Sequence, residues 1–139
     1  MIQFRAALIL LAAAAPIPVA AATTKFQVQL AGAAEVPGPG AAQGMGEAAL
    51  TFDTGKNQLC YRLHAMGTDT PTMAHIHKGA AGTAGGVVLP LTAPTDGTSE
   101  GCAAVARDLL AAILATPSDY YVNVHTAAFP AGALRGQLK

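Results

Sequence analysis

The sequence is poor in the residues that give most small domains their core volume and surface charge. It has no tryptophan, aromatic residues make up 5% of the chain and charged residues 12%, and the formal net charge is zero. Nucleic-acid-binding domains need a basic surface with interleaved aromatic residues, so a nucleic acid partner is not expected. The low aromatic content also gives the core little bulk, which predicts that a covalent cross-link supplies part of the stability.

The first residues have the pattern of a secretory signal peptide. Arg5 supplies a positive charge, Ala6–Ala15 is apolar, Pro16 and Pro18 interrupt the run, and Ala20-Ala21-Ala22 has the small residues that precede a cleavage site. This run is too short for a membrane span, and no later stretch is long enough. We predict a signal peptide over residues 1–22, one mature domain over residues 23–139, and a secreted or periplasmic location.

Cys60 and Cys102 are the only two cysteines. Two cysteines in an exported chain usually pair, because the compartment is oxidising. A disulfide closing a loop of this length stabilises a fold by roughly 4 kcal/mol in the chain-entropy model. Thiolate metal ligands are the alternative, although the chain has no CxxC spacing.

Side-chain arrangements typical of hydrolases are poorly represented. The carboxylates are few and scattered, mostly beside turns, so no glycosidase pair stands out. The glycine-rich segment Lys78–Gly86 is followed neither by Gly-Lys-Ser/Thr nor by a helix, which excludes a phosphate-binding loop. These features favour a protein that is not an enzyme.

Most of the chain after the signal peptide predicts short strands, because apolar residues alternate between glycine- and proline-rich turns. The predicted strands are Lys25–Leu30, Glu47–Asp53, Asn57–Ala65, Met73–His77, Val87–Leu91, Ser99–Val105, Tyr120–Thr126 and Ala133–Lys139. Helical spacing of leucines predicts one short helix over Ala106–Ala115, which Thr116-Pro117 ends. The fold class expected is all-β, an antiparallel Greek-key-like β-sandwich with one short helix.

Three histidines in two of these strands have the residue type and spacing of metal ligands. Alternate residues of a strand share a face, so His75 and His77 point the same way and Ile76 points to the other side. His125 would supply a third nitrogen if its strand lies nearby. Imidazoles bind copper and zinc well, and a three-nitrogen site leaves one coordination position open. We therefore predict a copper or zinc site at His75, His77 and His125.

Three further polar residues have two interpretations each. His64 is either a fourth ligand or an ordinary surface or hydrogen-bonded histidine. Asn123, on the face of His125, either bonds a ligating ring or holds a neighbouring loop. Arg135 either guides an anion to the site or makes a structural hydrogen bond or ion pair. Its possible acidic partners are Glu35, Glu47 and Glu100.

Several segments together resemble the CHRD domain, a module named from chordin and found also in exported bacterial proteins. The matching segments are Leu30-Ala31-Gly32-Ala33-Ala34-Glu35-Val36-Pro37, Ala74-His75-Ile76-His77-Lys78-Gly79-Ala80-Ala81-Gly82, Tyr121-Val122-Asn123-Val124-His125-Thr126, Phe129-Pro130-Ala131-Gly132 and Leu134-Arg135-Gly136-Gln137-Leu138. Ala133 departs from the pattern, since the family often has an acidic residue there. The resemblance implies an extracytoplasmic β-sandwich and says little about activity.

Three functions are compatible with these features. The leading hypothesis is a non-enzymatic exported domain that binds copper or zinc through the three histidines. The second is a module that binds a protein or a glycan, in which the histidines only hold the fold together. The third is a copper-dependent redox enzyme, because the HxH strand resembles that of copper–zinc superoxide dismutases, although their bridging histidine and zinc-site aspartate pattern is missing.

Overall fold

The computed structural model of the chain describes residues 20–139. The predicted signal peptide, residues 1–22, lies outside the described residues except for its last three. Between residues 20 and 139, no helix has both the length and the apolar character needed to cross a membrane.

The fold is all-β with one short helix, as the sequence predicts. The strands are β1 (Thr23–Ala31), β2 (Met45–Asp53), β3 (Gln58–Met66), β4 (Pro71–Lys78), β5 (Gly86–Leu91), β6 (Thr98–Ala104), β7 (Tyr120–Thr126) and β8 (Leu134–Gln137), and the helix is α1 (Arg107–Ala115). Each predicted element is present with ends within two residues of the observed ones. The alternation of apolar and polar side chains predicts the strands correctly, because each strand turns one face to the core.

The strands form one antiparallel sheet in the order β5-β4-β7-β8-β1-β2-β3-β6. Its two halves meet between β8 and β1, where a single residue pair, Ala31 and Arg135, joins them. The chain passes from one half to the other between β3 and β4, between β5 and β6, and between β6 and β7, as in Greek-key-like sandwiches. Apolar residues from both halves, including Leu50, Leu63 and Ile76, form one common core.

The two ends of this sheet approach each other, so the sandwich is nearly a barrel. The Tyr61 hydroxyl in β3 accepts a hydrogen bond from the Thr92 backbone N–H at 2.9 Å and lies 3.0 Å from the Thr92 hydroxyl, just after β5. Ser99 in β6 donates its hydroxyl to the Thr92 carbonyl at 2.7 Å. These contacts join the ends of the sheet through side chains where the strands themselves do not pair.

The predicted disulfide is present and lies outside the core. Cys60 in β3 and Cys102 in β6 are directly opposite each other and are bonded through their sulfurs. Because both sulfurs are in the disulfide, the alternative of thiolate metal ligands is wrong. The bond ties the edge strand β6 to β3 across 42 residues of sequence.

Strands β4 and β7, which carry the three histidines, are neighbours in the sheet and each turns one face to the core. Ala74 and Ile76 of β4 and Val122 and Val124 of β7 belong to the core cluster. The opposite face of β7 is buried as well, since every residue of Tyr120–Thr126 is buried. This second, polar face is where the candidate site lies.

Candidate metal centre

The antiparallel pairing of β4 with β7 brings the three histidines together. Met73 lies opposite His125 and His75 lies opposite Asn123, so His75 and His125 are diagonal neighbours on one face. Their ring nitrogens, Nδ1 of His75 and Nε2 of His125, are 3.1 Å apart. One potential ligand nitrogen from each of His75, His77 and His125 lies within 4.8 Å of the other two. The predicted grouping of these residues is therefore confirmed, and it contains no carboxylate among the described residues.

Backbone carbonyls fix the orientation of two of the three rings. Nδ1 of His77 lies 2.9 Å from the Gly85 carbonyl, and Nδ1 of His125 lies 3.0 Å from the Pro130 carbonyl. A carbonyl only accepts, so each Nδ1 carries the proton and each Nε2 has a lone pair in the neutral ring. Nε2 of His77 has no partner, whereas Nε2 of His125 accepts a hydrogen bond from Nδ1 of His75. Histidine ligands of metal ions are commonly held by such a bond to a carbonyl. The sequence did not reveal these contacts, because both carbonyls belong to loops.

The Nε2 atom of His77 is buried without a hydrogen-bond partner. Between residues 20 and 139 it is the one buried side-chain nitrogen or oxygen atom of this kind. An unsatisfied buried polar atom costs a fold about 1–3 kcal/mol, so such atoms call for a structural or functional explanation. His77 is also a member of the group with His75 and His125, and Nε2 is the nitrogen that its bond to Gly85 leaves unprotonated.

The site favours neutral imidazoles. Burial is the main cause that lowers the pKa of His75, His77 and His125 below the ordinary value of 6.5. Neighbouring positive charges lower these pKa values further: His125 and His77 act on His75, Arg135 acts on His77, and His77 acts on His125. The carbonyl bonds from Gly85 and Pro130 oppose the shifts of His77 and His125. Neutral imidazole is the form that binds a metal ion, so protons compete little for these nitrogens near pH 7.

Tyr121 and Arg135 support one side of the site. The Tyr121 ring stacks on His77, with ring centroids 4.9 Å apart and planes 13° from parallel. The guanidinium carbon of Arg135 lies 3.5 Å from the centre of the same ring. Because β7 lies between β4 and β8, the tyrosine ring is held between the histidine and the arginine. The Tyr121 hydroxyl also accepts a hydrogen bond from the Gly85 N–H at 3.0 Å, in the loop that orients His77.

Arg135 is a buried part of the structure. Its side chain donates to Oε1 of Gln137 at 3.0 and 3.2 Å and to the Ala80 carbonyl at 2.8 Å. The predicted structural hydrogen bonds are therefore present. The predicted ion pair is not, because within the described part of the chain Arg135 forms none, and Glu100 pairs with Arg62 instead. An anion-guiding role for Arg135 stays a prediction.

Asn123 holds a loop and does not bond a histidine ring. Its Nδ2 donates to Oε1 of Glu35 and to the Leu134 carbonyl, the latter at 2.9 Å. Burial raises the pKa of Glu35 to about 7, while the Asn123 bond and the charge of Arg135 act in the opposite direction. Of the two interpretations of Asn123, the structure supports loop holding. The sequence presented Glu35 only as a possible partner of Arg135, although the segment that resembles the CHRD domain contains it.

His64 lies apart from the other three histidines. It is on the outer face of β3, opposite Glu47 of β2 and Thr98 of β6, and it is half-buried. It is not part of the group of ligand nitrogens. The interpretation of His64 as an ordinary histidine therefore fits the structure.

The sequence also contains Gly97-Thr98-Ser99-Glu100-Gly101, which has the Gly-x-Ser-x-Gly spacing of a nucleophile elbow. In that motif the serine sits on a sharp turn between a strand and a helix, whereas Ser99 lies within strand β6. Ser99 pairs with core residue Leu63, and His64 belongs to the opposite face of the sheet. The structure therefore gives this serine no histidine base and no elbow.

Comparison with protein families gave one match. The family model of the CHRD domain matches residues 26–138. Comparisons with curated proteins and with solved structures gave no match. Because the family match covers nearly the whole described part of the chain, the protein belongs to the CHRD domain family.

Proposed function

We propose that this CHRD domain binds one transition metal ion, copper or zinc, through His75, His77 and His125, and that it acts as a binding protein and not as an enzyme. The observation that carries the proposal is the buried, unpartnered Nε2 of His77, a residue that is grouped with His75 and His125. A metal ion would satisfy this atom and would take the Nε2 lone pair of His125 in place of the His75 N–H, while the Gly85 and Pro130 carbonyls hold the two rings through Nδ1.

The chemistry of the three side chains narrows the choice of ion. Calcium and magnesium require oxygen ligands, and no carboxylate joins the group among residues 20–139. Copper and zinc bind imidazole at about 2.0–2.1 Å, which places ligand nitrogens about 3.4 Å apart in a tetrahedral site. Nδ1 of His75 and Nε2 of His125, 3.1 Å apart in a hydrogen bond, are close to this spacing, and a nitrogen of His77 lies within 4.8 Å of the other two ligand atoms. His75 has no backbone partner in the described structure, so its proton can move to the other ring nitrogen.

We also propose that the protein is exported, as the predicted signal peptide implies. The Cys60–Cys102 disulfide supports this, because disulfides persist in oxidising compartments. Cell fractionation followed by N-terminal sequencing of the mature protein tests both statements. A chain that starts at Thr23 in the secreted or periplasmic fraction is expected. A chain that retains residues 1–22 in the cytoplasm would contradict the proposal.

Isothermal titration of the metal-free protein with Zn(II) and with Cu(II) tests the metal site. One ion per chain is expected, and His77→Ala should abolish stoichiometric binding because the unpartnered Nε2 of His77 is removed. His64→Ala is the matched control and should bind like the native protein, since His64 lies outside the group. Absence of stoichiometric binding by the native protein would refute the proposed function.

The alternative is an interaction module in which the histidines are structural. The bonds from His77 to Gly85 and from His125 to Pro130 favour it, because they hold two loops whether or not a metal is present. Thermal unfolding distinguishes the two functions, since a ligand that binds the folded state raises Tm. A Tm that zinc and copper leave unchanged would favour the interaction module.

A further inference from the structure

All three methionines in the described structure are exposed, which is unusual for an apolar side chain. Met45, Met66 and Met73 are 56%, 49% and 47% exposed. Core packing therefore does not explain their presence. Met73 differs from the other two in its position, because it lies in β4 two residues before His75.

The pairing of β4 with β7 places Met73 beside the histidine group. Met73 lies directly opposite His125, and directly opposed residues share a face of the sheet. Their Cβ atoms are then about 4.5–5.5 Å apart. The pair Met73–His125 continues the regular register that runs from Ala74 to Lys78, and the register shifts only beyond it, where Pro71 lies opposite Thr126.

The methionine side chain can reach the group of nitrogens. It has three rotatable bonds and adapts to irregular surroundings, and the exposure of Met73 leaves its thioether free to turn. Met73 and His75 are two residues apart on one strand face, so the sulfur can approach from the side that solvent occupies. No other methionine lies opposite His75 or His77, whose pairing partners are Asn123 and Tyr121 in β7 and Pro90 and Val87 in β5.

We propose that Met73 supplies a thioether sulfur as a fourth ligand, and that the metal held at this site is copper in its Cu(I) state. This inference rests on the proposed function, because it presupposes the three histidine ligands. Three imidazoles alone suit both zinc and copper, whereas a thioether is a soft ligand that selects Cu(I) over zinc. The sulfur carries no charge, so the site with neutral imidazoles keeps the single positive charge of Cu(I).

The other two methionines provide a control within the same protein. Met45 and Met66 are paired across β2 and β3, in the half of the sheet that does not contain β4 and β7. They are as exposed as Met73 and have the same thioether chemistry. Met66→Leu therefore removes an equivalent exposed sulfur from a position outside the histidine group.

Two measurements test the inference: Cu(I) affinity by competition with a Cu(I) chelator under anaerobic conditions, and zinc affinity by titration. Both are made on the native protein and on the variants Met73→Leu, Met66→Leu and His77→Ala. Met73→Leu should weaken Cu(I) binding by about tenfold or more, which corresponds to at least about 1.4 kcal/mol. The zinc affinity of the same variant should stay within about twofold of the native value, a much smaller change than the tenfold that corresponds to about 1.4 kcal/mol. Met66→Leu should match the native protein for Cu(I) bound at the histidine site.

X-ray absorption of the copper-loaded protein gives an independent result. A sulfur ligand is expected in the first coordination shell of Cu(I) in the native protein and in Met66→Leu, and it should be absent in Met73→Leu. If the native protein binds zinc and copper but Met73→Leu has native Cu(I) affinity and the native spectrum, the assignment of Met73 is wrong and the proposed function remains. If the native protein binds neither metal, the proposed function itself fails.

Discussion

Replacing Glu35 with glutamine should change how the stability of the protein depends on pH. Glu35 is buried, accepts a hydrogen bond from Asn123, and has its pKa raised to about 7 from the ordinary 4.5, mainly by burial. Glutamine has nearly the same shape and keeps an oxygen that accepts from Asn123, but it does not ionise. Glu35→Gln therefore removes the titration and retains the packing.

The direction and the size of this pH effect on stability follow from the difference between the pKa of Glu35 in the folded protein and in the unfolded chain. The folded state holds the Glu35 proton up to about pH 7, whereas the unfolded chain releases it near pH 4.5. Below pH 4.5 both states are protonated and the group costs nothing. As the pH rises from 4.5 to 7, stability is lost, because ionisation is unfavourable only in the folded protein. The difference between the two pKa values corresponds to roughly 3 kcal/mol at pH 8.

Urea unfolding of the metal-free proteins, followed by circular dichroism from pH 4 to pH 8, measures this effect. The free energy of unfolding of Glu35→Gln minus that of the native protein should rise by up to about 3 kcal/mol across this range. Taking the difference removes the contribution of the buried histidines, whose lowered pKa values make stability rise with pH. Glu47→Gln, an exposed acidic residue on β2, controls for the loss of one carboxylate. Parallel curves for Glu35→Gln and the native protein would refute the reasoning.

Three other predictions concern the metal site, the disulfide and one glycine. Burial lowers the pKa of all three histidines below 6.5, so zinc affinity should stay nearly constant as the pH falls from 8 to 6.5. A competition assay with a zinc indicator measures this affinity. A steep decline of the affinity above pH 6.5 would contradict the prediction. Replacing both Cys60 and Cys102 with serine should lower the free energy of unfolding, measured by urea titration, by up to about 4 kcal/mol, because the disulfide closes a long loop. A loss under about 1 kcal/mol would show that the disulfide constrains the unfolded chain little. Gly132→Ala should destabilise the protein by more than about 1 kcal/mol, because Gly132 has φ +147° and an added Cβ would lie 2.5 Å from the Glu35 carboxylate. Gly82→Ala is the control, since Gly82 also has a positive φ but an added Cβ would meet open space. A smaller loss for Gly82→Ala would separate the clash from the backbone strain.

The parts of the fold that the sequence predicts are those that depend on local alternation. Leu59, Tyr61 and Leu63 alternate with polar residues in β3, and the structure buries all three. In β4, the same period of two places His75 and His77 on one face, with Ile76 in the core. The local order of apolar and polar residues therefore predicts which segments are strands and which of their side chains face the core.

The remaining parts of the site depend on contacts between distant segments. Asn123 meets Glu35 across 88 residues of sequence, and neither residue type has a local pattern that indicates the contact. The stacking of Tyr121 between His77 and Arg135 depends on the order β4-β7-β8, which alternation within single strands does not encode. For the same reason, the sequence leaves three acidic partners open for Arg135, and none of them forms an ion pair with it within residues 20–139.

The interleaving of core and ligand residues in β4 limits how this site can change during evolution. A one-residue deletion between His75 and His77 would shift the rest of the strand by one position and turn every following side chain to the opposite face. A histidine would then enter the core where Ile76 now packs, so the fold and the site would be lost together. Substitutions can remove a ligand while the fold survives, but insertions and deletions cannot move the ligands along the strand. Length variation among related domains is therefore not expected in β4.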